Sequence, residues 1–211
     1  FFLIFDRNKV SLQLLNTIPD EHTFTIREDN LIYFSLDVLR FIIWARRNKI
    51  DSCFDLELFS RATALLSTLS GAQNRIGFDA FHNEGLSRGR LLTHRVAYNA
   101  HTHMAKNFIA LVNALISNNK EVPYSKTLIS DDEIKLTQAV VEPAQQNLIR
   151  EKIKNLYPNY QHDQHSIVLI NPNASDLLPQ RRWPKEHFIR LIQSVLKDYP
   201  QALILMTGSP S

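Results

Sequence analysis

Apolar positions along this chain fall into two alternating patterns: short aliphatic runs, and longer stretches with one apolar face. Residues 166–170 are an almost unbroken aliphatic run of the kind that forms a strand buried on both faces of a parallel sheet. Phe188, Leu191, Ile192, Val195, Leu196 and Tyr199 then recur at i, i+3, i+4, i+7, i+8 and i+11, which places one apolar stripe on a helix. A second aliphatic run, 202–206, completes a β-loop-α-β unit and ends in Thr207 and Gly208. Upstream, 1–5, 22–26 and 50–56 read as strands. Helices are expected over 8–15, from a cap at Ser35 to about 47, and over 59–69, the last burying Ala62, Leu65, Leu66 and Leu69 and stopping at Gly71. Periodicity is weak over 79–98, where Gly85, Arg88, Gly89 and Arg90 imply a basic loop. Met104, Phe108, Leu111, Val112 and Leu115 mark another helix; 117–132 is polar and carries Pro123; 142–156 has helical composition. The polar stretch 157–165 is the best linker candidate. Strands alternating with helices argue for an α/β protein with a parallel, doubly wound sheet.

With 211 residues, 44% hydrophobic and 21% charged, the chain has the composition of a soluble globular protein large enough for one large or two small domains. No run reaches the ~18 apolar residues of a membrane span, and the densest, 36–45, is interrupted by Asp37 and Arg40. The single cysteine, Cys53, rules out an internal disulfide framework, fits a reducing cytoplasm and reads as a small buried hydrophobe. A formal charge of +3 is compatible with anionic substrates without requiring them. Basic residues are scattered and no aromatic stacking motif accompanies them, which disfavours nucleic acid. Arg88, Arg90, His94 and Arg95 read as a solvated basic face, with contact to anionic lipid headgroups as the alternative. Asp131 and Asp132 read as a helix start rather than a metal site.

The loop after 166–170 carries the chemistry. Asn171-Pro172-Asn173-Ala174-Ser175 supplies exposed amides, and Arg181-Arg182-Trp183-Pro184 brings fixed positive charge to a helix start. Such a combination at the carboxyl end of a parallel strand suits a phosphate or diphosphate. Trp183 reads as a packing anchor, and Pro184 sits where a missing N–H costs little.

This strand, loop, basic-Trp-Pro segment, helix and Thr-Gly strand end resemble glycosyltransferase family 9, the lipopolysaccharide heptosyltransferase group. A second stretch agrees: Phe54-Asp55-Leu56-Glu57-Leu58-Phe59-Ser60-Arg61, then Ala64-Leu65-Leu66, Ser70-Gly71-Ala72 and Arg75-Ile76-Gly77-Phe78. The resemblance implies a GT-B fold of two Rossmann-like domains with parallel sheets: an acceptor-side domain over 1–156 lacking its opening strand, a linker over 157–165, and the start of the nucleotide-sugar domain over 166–211. On that reading the chain is a piece cut at both ends and inactive alone. The implied reaction is inverting, metal-independent transfer of a sugar, a heptose among the candidates, from a nucleotide-diphosphate sugar to a saccharide or glycolipid acceptor in lipopolysaccharide biosynthesis. It needs no cofactor, and it places the protein in the cytoplasm, with peripheral contact to the inner membrane as a further expectation. Implied donor-binding residues are Asn173, Ala174, Ser175, Arg181, Arg182, Thr207 and Gly208; implied acceptor-binding residues are Glu57, Arg61 and His103. Lysine is common in the family where Arg181 stands, and glutamine or glycine where Glu57 stands. The family's catalytic aspartate falls upstream of Phe1, and Asp6 does not take its place. A nucleotide-sugar epimerase of the same fold, or a non-catalytic GT-B protein binding a glycan or nucleotide, are the alternatives.

Overall fold

A computed structural model describes the chain except for residues 59, 81–86, 119–120, 123, 125–127, 174–178 and 209–211 and the side chain of Pro179. The chain divides into two compact units, Phe1–Val140 and Val141–Ser211. Every strand pair in both is parallel.

In the first unit, β1 (Phe2–Phe5) leads through a 3-10 turn and the short helix α1 (Lys9–Leu15) to its partner β2 (Thr23–Ile26). Helix α2 (Leu31–Arg47) follows. It starts four residues before the expected cap, because the Asn30 side chain accepts the Ile32 N–H at 2.7 Å, whereas Ser35 lies inside the helix and donates to the Leu31 carbonyl. A short polar side chain ahead of an apolar turn is the stronger start signal. Strand β3 (Ser52–Asp55), helix α3 (Arg61–Leu69), β4 (Asn74–Asp79), β5 (His94–Ala97) and α4 (Met104–Ile116) complete the unit. β4 lies between β3 and β5, and Tyr124 adds a single bridge to Val96. The expected parallel pairing is therefore present, divided between a β1–β2 pair and a β3–β4–β5 sheet.

Two apolar clusters hold this unit together. One packs α4 (Ala110, Leu111, Ala114) on Ile76, Phe78 and Val96 of the three-stranded sheet. The other joins Ile26 of β2 to Phe41 and Ala45 of α2 and to Leu66 of α3, with Phe24, Trp44 and Ile50 alongside. α3 buries Ala64, Leu66 and Ser67, not Ala62 and Leu65, which are exposed. The reason is polar: Ser67 donates to the Thr63 carbonyl and accepts from the Cys53 thiol, so the buried face is rotated toward hydroxyls that apolar periodicity ignores. Ser70 caps the helix and Gly71 follows at φ +88°, the left-handed stop a glycine allows.

In the second unit, α5 (Pro143–Leu156) precedes hydrogen-bonded turns over 157–165, held by bonds such as Tyr160 N–H to the Tyr157 carbonyl. Strand β6 (Ser166–Ile170), helix α6 (Lys185–Asp198) and strand β7 (Ala202–Met206) then form the expected β-α-β unit, with β6 and β7 paired in a sheet apart from those of the first unit. Phe188, Ile192 and Val195 are half-buried along α6. No helix among the described residues is long and apolar enough to cross a membrane.

Candidate functional site

In the second unit the carboxyl ends of β6 and β7 lie side by side. The Thr207 N–H donates to the Ile170 carbonyl at 2.9 Å, so pairing continues one residue past β7. Asn173 folds back through its own N–H onto the Asn171 side chain at 3.0 Å. A Cβ built on Gly208 would meet the Asn173 amide at 3.2 Å, so the two loops touch here and only glycine fits without displacing it. Asn173, Thr207 and Gly208 are thus brought together. Ala174 and Ser175 lie outside the described residues. Arg181 ends a 3-10 turn, and Arg181 and Arg182 are both exposed. Trp183 packs edge-on to Phe188 and His187, with ring centroids 4.9 and 5.4 Å away, which fixes the entry to α6. Pro184 is the N-cap, one position earlier than a first-turn proline, and its carbonyl accepts the His187 N–H.

In the first unit the carboxyl ends of β3 and β4 are organised by two buried carboxylates. Asp55, the last residue of β3, accepts from the Glu57 N–H at 3.0 Å and the Thr63 hydroxyl at 2.9 Å, and lies 2.7 Å from Nη1 of Arg88. Both side chains of this ion pair are removed from solvent, with exposures of 0% for Arg88 and 2% for Asp55. Burial pushes the Asp55 carboxyl above its ordinary range, opposed first by the Arg88 charge and then by the Glu57 and Thr63 hydrogen bonds. The Nη1 contact is short but off the line of a hydrogen bond, and among the described residues none of the three guanidinium nitrogens has a hydrogen-bond partner. It acts as a charge contact. Asp79, ending β4, accepts the N–H groups of Arg88 and Ala80 and pairs with Arg95 at 3.2 Å.

These bonds overturn the solvated basic face expected at Arg88 and Arg95, whereas Arg90 is exposed as expected and His94 is half-buried. Arg88 is core, and Arg95 is tied to Asp79 at the strand end. The reason is two aspartates that lie apart in sequence and together in the sheet. Gly77 makes the packing possible, since an added Cβ would sit 3.1 Å from Leu92 Cδ1 and 3.3 Å from both Arg88 Nη1 and Asp55 Cβ. Apolar and basic periodicity missed this arrangement; the available signal was an aspartate closing two successive strands, with a glycine between.

Arg61 opens α3, where Ser60 caps the helix by accepting the Thr63 N–H. Its Nε donates to the Ser87 carbonyl at 3.1 Å, and its terminal nitrogens make no hydrogen bond or ion pair among the described residues. Asp55 and Arg88 thereby set both ends of the Arg61 mount: α3 through Thr63, and Ser87 through its neighbour. Glu57 is exposed, and its N–H donates to Asp55. His103 lies elsewhere, as the N-cap of α4, accepting the Ala105 N–H on Nδ1 at 3.1 Å. The Asp131–Glu133 turn is a 3-10 helix start with a Ser130 capping box, and Asp131 pairs with Lys106 at 2.6 Å. Among the described residues no group of three or more His, Cys, Asp or Glu side chains is placed to hold a metal ion.

Parallel strands alternating with helices, with polar, glycine-bearing loops at their carboxyl ends, define a Rossmann-like α/β protein. The sequence narrows this further. Residues 46–211 match the family described as glycosyltransferase family 9 (heptosyltransferase), and the chain belongs to that family; it is a glycosyltransferase. No curated protein and no solved structure matches it at a level that supports a comparison.

Proposed function

We propose that this glycosyltransferase moves a sugar, a heptose by family kinship, from a nucleotide-diphosphate donor to a saccharide or glycolipid acceptor of lipopolysaccharide, with inversion. The second unit takes the donor and the first takes the acceptor, as the two halves of a GT-B enzyme. What carries the donor assignment is the contact of the loops after β6 and β7, where Asn173 closes on Gly208. The Thr207 hydroxyl and the guanidinium of Arg181 suit the diphosphate on which charge grows as the glycosidic bond breaks. In the reaction the acceptor oxygen forms a bond to the anomeric carbon on the face opposite the diphosphate. The carbon–oxygen bond to phosphate breaks, and its electron pair leaves with the diphosphate. The acceptor proton passes to a base that is not assigned among these residues. On the first unit the exposed guanidinium of Arg61 is the group for an anionic acceptor sugar, and Glu57 is a second acceptor-side group.

Calorimetry with nucleoside diphosphates tests the donor reading. Arg181→Ala is expected to weaken binding by about 1.5–3 kcal/mol, the range of a charge-assisted hydrogen bond. Unchanged affinity would return Arg181 to the solvated surface. Release of nucleoside diphosphate that requires an acceptor, with the sugar recovered on it, separates transfer from epimerisation and from binding alone.

A further inference from the structure

Helix α2 is apolar on two sides. Its inner side enters the cluster with β2 and α3 through Phe41 and Ala45. Its outer side carries Ile32, Leu36, Leu39 and Ile43, exposed by 67, 49, 58 and 52%. The spacing i, i+4, i+7, i+11 confines these four to about a sixth of the helix circumference over a length of roughly 16 Å. Aliphatic side chains aligned this way are a built stripe, not the scattered exposure normal on a surface.

The charges on the helix beside the stripe have one sign. At 100° per residue, Arg46 flanks one edge and Arg40 and Arg47 the other, and all three are exposed. The helix's single acid, Asp37, lies on the inner side with 6% exposure, bound by Arg27 through a two-pronged pair at 2.8 Å. Arg40 reaches it only at 3.8 Å, with its own side chain 72% exposed.

We infer that α2 docks the protein on an anionic lipid bilayer, lying parallel to the surface with Ile32, Leu36, Leu39 and Ile43 in the acyl boundary and Arg40, Arg46 and Arg47 at the phosphates. An apolar face one helix wide with a cationic margin is what an interfacial helix presents to such lipids. A second copy is a poorer occupant. A two-fold contact would set the arginine margins against each other, and no acid on this face of the helix answers them. The inference gives a surface to the peripheral membrane contact that the family resemblance implies, on observations separate from the donor site. In the basic cluster that was the other candidate surface, Arg88 and Arg95 are engaged by Asp55 and Asp79, and Arg90 is exposed without an apolar stripe beside it in the sequence.

Flotation with vesicles of phosphatidylcholine containing about 30% phosphatidylglycerol provides the test, with pure phosphatidylcholine as the neutral arm. The protein is expected to float with the anionic vesicles, not with the neutral ones, and to come off as salt is raised. Leu36→Ser/Leu39→Ser is expected to lower the partition coefficient by at least about tenfold, because two half-exposed leucines lose their burial in lipid. Arg46→Gln/Arg47→Gln is expected to lower it by about tenfold at low salt. Both pairs are exposed, and circular dichroism confirms that each variant is folded. No flotation of the parent protein, or flotation indifferent to both variants, overturns the inference. So does a parent dimer in sedimentation equilibrium that the leucine variant dissolves, which would assign the stripe to a second copy.

Discussion

Removing the charge of Asp55 while keeping its shape isolates what secures the carboxyl end of β3. In Asp55→Asn the side-chain oxygen can still accept one of the bonds now arriving from Glu57 N–H and Thr63, and no cavity opens. What disappears is the countercharge of a guanidinium with 0% exposure and no hydrogen bond among the described residues. Leaving a buried charge unpaired costs about 3–5 kcal/mol. In Arg88→Met the loss is smaller, about 1–2 kcal/mol, because the stranded carboxylate keeps two hydrogen bonds and can take up a proton. The double variant is expected to be more stable than Asp55→Asn alone, a coupling of about 2 kcal/mol. Proton uptake also sets the pH dependence. Burial raises the folded-state value of Asp55, so the folded protein holds that proton more tightly than the unfolded chain. Its contribution is complete below the ordinary carboxyl range and is lost as pH rises through the raised value. Arg88→Met removes the strongest opposing charge and steepens that loss. Urea unfolding followed by Trp44 fluorescence in a Trp183→Phe background reads the first unit alone, since Trp44 sits in its core beside Phe24. Equal penalties for the two single variants, or a coupling under about 0.5 kcal/mol, would refute the reasoning.

Gly77→Ala should destabilise the first unit by about 1–3 kcal/mol in the same assay, because its Cβ meets a buried ion pair and Leu92 that have little room to give. Asp37 is held at about 2 by its hydrogen bonds to Arg27, below its usual 3.8. Its stabilisation is therefore present above the ordinary value and lost as pH falls toward the lower one, and Asp37→Asn should flatten that acid limb in a pH series of melts. His103→Ala should cost about 0.5–2 kcal/mol by removing the α4 cap, and His103→Asn should restore most of it.

The second unit was the more legible from sequence. Residues 166–170 and 202–206 are unbroken aliphatic runs and the α6 stripe keeps one helical period, so each element stands where it was expected. The burial expected on both faces of 166–170 is absent: Ser166, Ile167 and Leu169 are exposed, because among the described residues β6 has one strand partner, and Leu191, Leu196 and Tyr199 of the α6 stripe are exposed as well. β5 was missed because four residues beginning with His94 and Arg95 carry no aliphatic run, and their place is set by pairing with β4. The start of α2 was misplaced because Ser35 and Asn30 are both capping residues, and only the backbone shows which precedes the first turn. Arg88 was unreadable for a deeper reason. A charge is buried only when its partner is at hand, and Asp55 comes to it through sheet pairing rather than sequence proximity.

Parallel pairing also dictates the order in which this chain can assemble. No strand here can zip to its partner through a tight turn, so each pair waits for an intervening segment to close. Ile76 meets His94, 18 positions on, whereas Ser166 meets Ala202, 36 positions on. Doubling the loop adds only about 0.6 kcal/mol of closure entropy. On a ribosome the delay is more literal: β6 must emerge and remain unpaired until the whole of α6 and β7 have followed. During that interval 166–170 is a bare aliphatic segment without a charge, the kind of window in which a nascent chain is most exposed to wrong partners and most in need of a chaperone.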